Sequence, residues 1–264
     1  WDHINVFPTF ENYIDQFRIF ADLITKNGTL IYCADDPEVK KIGENCRSDI
    51  RAEAYDLPEH SIENGITYLH HNENKYALEV FGEHNLLNLM GAKLVCNSLG
   101  INDEDFFISI QSFSGASKRL ESVASNESTT VFKDFAHSPS KLKATTNAVK
   151  SQYTYRKLVA CLELHTYSSL SAKFLELYKG CMDAADVAFV YFSHHAIELK
   201  RLPEITTDQV KNAFARTDLQ VYTHSDELKQ KLLSIDWENK NLLMMSSGNF
   251  DGIDINALGQ EICS

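Results

Sequence analysis

After Thr9 the apolar residues Phe10, Tyr13, Ile14, Phe17, Phe20, Ala21 and Ile24 recur at three- and four-residue spacing, which predicts an amphipathic helix capped by Thr9. Asn27-Gly28 closes it. TLIYCA (29–34) then reads as a buried strand, stopped at Asp35-Asp36-Pro37, where a short helix begins. Between residues 50 and 80 the period drops towards two, and ITYLH and YALEV, joined by HNENK, predict a hairpin. GEHNLLNLMGAKLVCNSLG (82–100) predicts a long helix with Leu86, Leu89, Met90, Leu94 and Val95 as its core stripe and Gly100 as its stop. Asn102 and Asp103 open a further helix that ends near Phe113.

In Ser114 to Arg119 glycine, serine and charge replace the periodic pattern, and this is the expected domain boundary, dividing the chain into 1–118 and 119–264. Beyond it the alternation is regular. VFKDFA leads to a helix over 139–151, KLVACLEL (157–164) to one over 170–182, and DVAFVYF (186–192) to a loop and a helix over 207–215. LQVYT precedes a helix over 225–233, and NLLMMSS one over 252–262. Near-continuous apolar strands between helices predict an α/β, Rossmann-like C-terminal domain with a mostly parallel sheet.

Polar residues gather where these strands end. Asp134 and His137 follow the first, Ser138-Pro139 starting the next helix; Glu163-Leu164-His165-Thr166-Tyr167 follows the second, Ser193-His194-His195 the third and Ser246-Ser247-Gly248-Asn249 the last. That is the rim on which open α/β sheets bind ligands. From the residues alone, Asp134 is either a solvated loop carboxylate or a ribose ligand, and His137 either caps backbone groups or acts on a ligand. His84, Asn85 and Asn88 either cap the helix that begins at Gly82 or present donor and acceptor together to an adenine edge. Arg119 is either a phosphate clamp or a surface residue.

Composition narrows the partners. A formal net charge of −12 argues against a general nucleic-acid binder, and no apolar run approaches the length of a membrane span. Nothing reads as a secretory signal. The six cysteines lack a CxxC pair and mostly fall in apolar patterns, which predicts reduced, buried thiols and a cytoplasmic location. There is no GxxxxGK[ST], and no GxGxxG follows the first strand of the second domain, so neither a P-loop ATPase nor a dinucleotide dehydrogenase is complete here. The chain opens on WDHINVF, without Met and already patterned, so it is expected to be a piece of a longer protein.

DHINVF, GEHNLLN, FSGASKRLE, VFKDFAHSP, LVACLELHTYS and LLMMSSGNFDGI, in that order and over nearly the whole chain, resemble the Mur ligase family, the ATP-dependent amide-forming enzymes of peptidoglycan synthesis and recycling. The resemblance is greatest to the branch that joins an amino acid or peptide to UDP-N-acetylmuramate. It implies the second half of a central ATPase domain followed by a Rossmann-like C-terminal domain, with the UDP-sugar domain and P-loop lying upstream. It further implies that His3 helps hold Mg²⁺, that His84, Asn85 and Asn88 contact adenine, that Asp134 holds ribose and that Arg119 meets the ATP phosphates. His137 would lie beside nucleotide and incoming amine, and His165 in the loop that receives the acceptor, with Ser169 and Asn249 near it. The expected chemistry is phosphorylation of the muramate carboxylate by ATP, then displacement of phosphate by the amine of L-alanine or of the L-Ala-γ-D-Glu-meso-Dap tripeptide.

This sequence departs from the family pattern in two places. HTYSSLS places Ser169 where alanine-adding members commonly have arginine, so a guanidinium for a single amino acid's carboxylate is missing. Ser138 stands where a second histidine usually follows His137. A non-catalytic nucleotide- or peptide-binding module on the same scaffold is the competing expectation. The piece by itself is expected to be inactive as a ligase.

Overall fold

Thr9 caps the first helix, α1 (Phe10–Asp22), by accepting the Asn12 amide at 3.1 Å. The computed structural model describes residues 1–264, which form two units: Val6–Ser114 with Trp1, and Gly115–Ser264 with Asp2–Asn5. In the first unit α1 is followed by β1 (Thr29–Cys33), α2 (Pro37–Glu44), β2 (Arg51–Tyr55), β3 (His60–Glu63), β4 (Ile66–His71), β5 (Asn74–Leu78), α3 (Glu83–Ser98) and α4 (Asp103–Ile110). β4 and β5 form the predicted hairpin, turned at Asn72 and Glu73, both with positive φ. β3 adds a third antiparallel strand. Leu69, Tyr76 and Leu78 of this sheet bury against Leu86 and Leu89 of α3 and Phe106 and Phe107 of α4.

Two expectations for this unit change. β1 is only half-buried, pairing in parallel with β2 alone. The apolar stripe of α1 is also largely uncovered, because the helix packs against the two-turn α2 and Phe20 remains 68% exposed. Periodicity predicts that a helix forms; what lies against it is a separate matter.

The second unit runs β6 (Glu121–Ser125), β7 (Thr130–Asp134), α5 (Pro139–Gln152), β8 (Lys157–Glu163), α6 (Ala172–Leu175), β9 (Val187–Tyr191), α7 (His194–Leu199), α8 (Thr207–Phe214), β10 (Gln220–Tyr222), α9 (Ser225–Leu233), β11 (Lys240–Met245) and α10 (Ile255–Cys263). Its sheet has the order β10-β9-β8-β11-β7-β6, parallel except for the edge strand β6. The fold class is therefore mixed α/β with a mostly parallel sheet. Both faces are covered: Val159, Cys161, Leu242 and Met244 join the core under α9 and α10, while the alternate residues Leu158, Ala160, Leu243 and Met245 are equally buried.

Here too the sequence pattern needed correction. The helix expected over 170–182 is the single turn α6 and a 3₁₀ turn at Glu176–Tyr178, ended by Gly180 at φ 74°. The spacing still serves: Leu170, Phe174, Leu175, Tyr178 and Met182 all bury. α7 occupies part of the predicted loop, β6 was not legible, and the last helix starts at Ile255, capped by Asp254. Of the cysteines only Cys161 and Cys181 are buried; the other four are half-buried. No helix is long and apolar enough to cross a membrane.

At the amino-terminal end of the sheet a buried arginine binds three strands' neighbourhoods together. Arg156 donates to Thr130 and Asn241 at 3.1 Å and to the Glu127 carbonyl at 2.8 Å, with its guanidinium flanked by the rings of Tyr153 and Tyr155. Leu242, fully buried at the centre of β11, reports on this core. Leu242→Ala is expected to lower stability by about 2–5 kcal/mol, read as a fall in the urea midpoint with an unchanged slope.

Candidate functional site

The strand order places a crevice by topology. From β8 the chain moves to β9 and β10, whereas β11 returns beside β8 and its helix α10 packs over β6 and β7. Connections therefore diverge from the carboxyl ends of β8 and β11, and the loop after β11 folds against the end of β8 through Ser246 and Phe250. A cavity of about 110 Å³ opens beside these ends, between the loops after β8 and β11 and the α7 segment after β9, lined by Glu163, His165, Ser193, His195, Lys200, Asn249 and Asp251, among others. It has room for the end of an amino acid and a few waters.

Glu163 is the last residue of β8 and only 3% exposed. Its Oε2 accepts the Phe250 amide at 2.8 Å and the Ser246 hydroxyl, and its Oε1 lies 3.5 Å from Nδ1 of His165. Burial alone would raise its pKa, but His165, Ser246 and the Phe250 amide more than offset that, so the carboxyl sits below its ordinary value and is anionic. The segment it grips is strained. Phe250, Asp251 and Gly252 have φ of 50°, 53° and 96° in succession, conformations that cost non-glycine residues energy and persist only where surroundings enforce them. Enforcement comes from the full burial of the Phe250 ring and from Glu163. Asp251 thereby faces the cavity and meets the Tyr191 hydroxyl at 3.4 Å. Burial and the Asp251 charge push the Tyr191 phenol up to about 12. Gly248 closes against the same group: a Cβ there would come within 2.8 Å of Glu163 Oε2 and of the His165 ring.

Asp134 ends β7 and works locally. Its oxygens accept the amides of Leu120 at 2.6 Å and Ala136 at 2.7 Å and the Thr145 hydroxyl at 3.3 Å, which fixes the turn into α5. A carboxylate so held retains further lone pairs for a hydroxyl. Arg119 precedes Leu120, is exposed and lies between two residues with left-handed φ, Lys118 and Leu120.

His137 is buried with both ring nitrogens against acceptors: Nδ1 is 2.8 Å from the Phe135 carbonyl and Nε2 is 3.1 Å from Asp2 Oδ2. Both ring nitrogens are therefore engaged, one by a carbonyl and one by a carboxylate. Asp2 is itself 6% exposed and also meets Lys141 at 3.4 Å and the His3 amide at 2.8 Å. Burial would raise its pKa, yet His137, the His3 amide and Lys141 hold it well below the carboxylate range. Ile4 donates to Ser168 at 3.2 Å, so residues 2–5 lie along this rim. Ser169 is fully buried, exchanging hydrogen bonds with the amide, hydroxyl and carbonyl of Thr166. In this structure it braces the loop that carries His165.

Thus the second unit brings Asp134, His137, His165, Ser169, Asn249 and, through Asp2, His3 to one rim. His84, Asn85 and Asn88 belong to the first unit, at the start of α3. Gly82, at φ 89°, turns the chain into that helix, no side chain caps it, and Asn85 Nδ2 donates to the Phe81 carbonyl at 2.9 Å while Asn88 is exposed. Asp251, Tyr191 and Lys200 were not named from the sequence, and Glu163 and Gly248 were named only as members of the polar strand-end segments. The available signal was a glutamate in an otherwise apolar strand, KLVACLE, which must find donors once buried.

A magnesium site does not emerge from these residues. His3 is exposed, Asp2 Oδ2 is 3.9 Å from its Nε2 and already engaged by His137 and Lys141, and no group of three His, Cys, Asp or Glu could hold a metal ion. Magnesium demands several oxygen ligands in octahedral array.

Fold and rim together define an α/β protein with a polar crevice at a topological switch point. Comparison with known proteins makes this specific. Residues 1–96 match the Mur ligase middle domain. Over 98% of its length the chain is 24% identical to the UDP-N-acetylmuramate–L-alanine ligase of Bdellovibrio bacteriovorus, and over 97% it is 27% identical to that of Clostridium perfringens. It spans 59% and 58% of those relatives. The structure is similar to MurF of Acinetobacter baumannii (TM-score 0.75, 16% identity, 99% of this chain and 57% of that one). It is also similar to the murein peptide ligase of Psychrobacter arcticus (0.62, 18%, 95% and 54%) and to MurF of Thermotoga maritima, solved with ADP (0.68, 13%, 97% and 58%). Residues 1–96 belong to the Mur ligase middle domain family, and the chain is similar along nearly its whole length to Mur ligases.

The Asp2–His137 pair predicts a pH signature. Because Asp2 has a folded pKa below its unfolded value of about 3.9, its stabilisation is complete above that value and lost as pH falls through the folded one. Asp2→Asn should therefore cost about 1.5–3 kcal/mol at pH 7. The gap to wild type should narrow below about pH 4 in urea titrations.

Proposed function

We propose that this chain belongs to an ATP-dependent ligase that joins the carboxylate of UDP-N-acetylmuramate to the amine of an amino acid or peptide. The observation that carries this reading is the crevice at the carboxyl ends of β8, β9 and β11, where His165, held beside a buried anionic Glu163, faces a space sized for the end of an amino acid. Relatives along nearly the whole chain carry the name UDP-N-acetylmuramate–L-alanine ligase, which supports the same reaction class.

In this reading the muramate carboxylate takes the γ-phosphoryl group of ATP, and the acceptor amine then displaces phosphate from the acyl phosphate. This chain supplies positioning and charge. His165 and Asn249 receive the acceptor, with Ser169 acting indirectly through the loop it braces. In the first unit His84, Asn85 and Asn88 contact adenine. In the second, Asp134 offers its remaining lone pairs to the ribose hydroxyls, and the exposed guanidinium of Arg119 is available to phosphate. His137 is committed to Asp2 and acts by shaping the rim. No step is assigned to magnesium through His3. L-alanine and the L-Ala-γ-D-Glu-meso-Dap tripeptide are the candidate acceptors, and the serine at 169 in place of a guanidinium favours the peptide.

The test is phosphate release by the whole gene product, expected only when ATP, UDP-N-acetylmuramate and one of these two acceptors are all present. Release with neither acceptor would overturn the proposal. His165→Ala should raise KM for the acceptor by roughly tenfold or more, with little change in KM for ATP. The 264-residue chain alone, which contains no GxxxxGK[ST], should release no phosphate from ATP.

A further inference from the structure

We propose that Glu163 is a positioning residue that fixes the tautomer of His165, so that the free Nε2 faces the crevice and takes a proton from the acceptor's ammonium group. The role of His165 rests on the ligase reading above; the hydrogen-bonding argument for its tautomer does not.

Glu163 has no freedom to serve otherwise. It is anchored through Oε2 by the Phe250 amide and the Ser246 hydroxyl, which leaves Oε1 directed at His165 Nδ1, 3.5 Å away. A carboxylate accepts and never donates when ionised, so the proton of neutral His165 resides on Nδ1 and the lone pair on Nε2. Nε2 has no hydrogen bond within the chain, and the ring lines the cavity, with 37% of the side chain exposed. His195 lines the same cavity without a carboxylate to set its tautomer, and Lys200 at its edge is a cation that cannot accept a proton while charged. Gly248 completes the arrangement, since only the absence of a Cβ lets the 246–249 turn lie against both Glu163 and the imidazole.

The step balances simply. An amine that arrives as R–NH₃⁺ has no lone pair with which to attack. Transfer of one proton to Nε2 leaves R–NH₂ and an imidazolium beside the Glu163 carboxylate, which stabilises the new charge. The nitrogen lone pair then forms the C–N bond as the C–O bond to phosphate breaks. Inorganic phosphate leaves with the electron pair, the second amine proton passes to solvent or phosphate, and the imidazolium releases its proton to water.

Substituting the carboxylate by its amide gives a sharp test. In Glu163→Gln the Phe250 amide and the Ser246 hydroxyl still require an acceptor at the Oε2 position, so the new NH₂ must occupy the Oε1 position and donate to Nδ1. His165 should then switch to the Nε2–H form. Imidazole-¹⁵N-labelled protein, the 264-residue chain, reads this directly by long-range ¹H–¹⁵N correlation, with His165→Gln for assignment. The expected result is a pyridine-type Nε2 in the wild type and a pyrrole-type Nε2 in the folded variant. An Nε2–H wild type, or an unchanged tautomer in Glu163→Gln, overturns the proposal. If Glu163→Gln does not fold, Gly248→Ala provides the second measurement: its methyl must displace the pair, and a His165 signal identical to wild type would count against it. In the whole gene product, Glu163→Gln should lower kcat roughly tenfold or more while leaving KM for ATP and acceptor near wild type. A loss confined to KM would overturn the proton-accepting role. A wild-type protein with the expected tautomer and no ligase activity would instead overturn the ligase reading, and the proton-accepting role with it.

Discussion

A carboxylate buried at the end of an apolar strand is the constraint on which the second unit's working rim depends. Glu163 stays ionised only because donors converge on it, and those donors come from the loop after a different strand, β11. The sheet brings β8 and β11 side by side; the charge ties their loops together. Removing the carboxylate would leave the Phe250 amide unpaired and would take away one of the two restraints on the left-handed turn, the burial of the Phe250 ring being the other. Electrostatics at this point determines backbone shape, and backbone shape determines which side chains meet the cavity.

The rim has a second ionic centre of a different kind. Around Glu163 the partners are neutral donors and a histidine with one open nitrogen. Around Asp2 the partners are His137, satisfied at both nitrogens, and Lys141, and nothing is left open. The first arrangement leaves a reactive group facing the cavity, whereas the second consumes its polar capacity in fixing position. Two histidines with similar sequence credentials therefore have distinct physical roles, and burial and hydrogen-bond saturation decide between them.

Much of this architecture was legible in advance because it follows from periodicity. Near-continuous apolar runs foretold the parallel strands, and Pro139 and the Asn-Gly and Asp-Pro breaks located the turns. The ligand rim followed from polar residues at strand ends. What escaped prediction depends on partners distant in sequence. Edge strand β6 has little apolar signal of its own and exists by pairing with β7. The exposed stripe on α1 is a property of what packs against it, which spacing does not encode. The resemblance put Ser169 near the acceptor; that its hydroxyl closes a local turn by donating to the Thr166 carbonyl could not be read from spacing. Asp251 and Lys200 reach the cavity only through the strained 250–252 turn and the short helix α7, features that no local pattern announces.

The grouping of Asp2–Asn5 with Gly115–Ser264 means that the second unit is discontinuous in sequence. Sequence-contiguous modularity would be the wrong guide to dissecting it. An excision that began at Gly115 would keep every strand of the sheet yet discard the carboxylate partner of His137 and the backbone group that meets Ser168. The autonomous piece would retain the scaffold and lose part of its electrostatic wiring, so any attempt to recombine or transplant this rim has to carry a short strip of chain from the opposite end of the sequence.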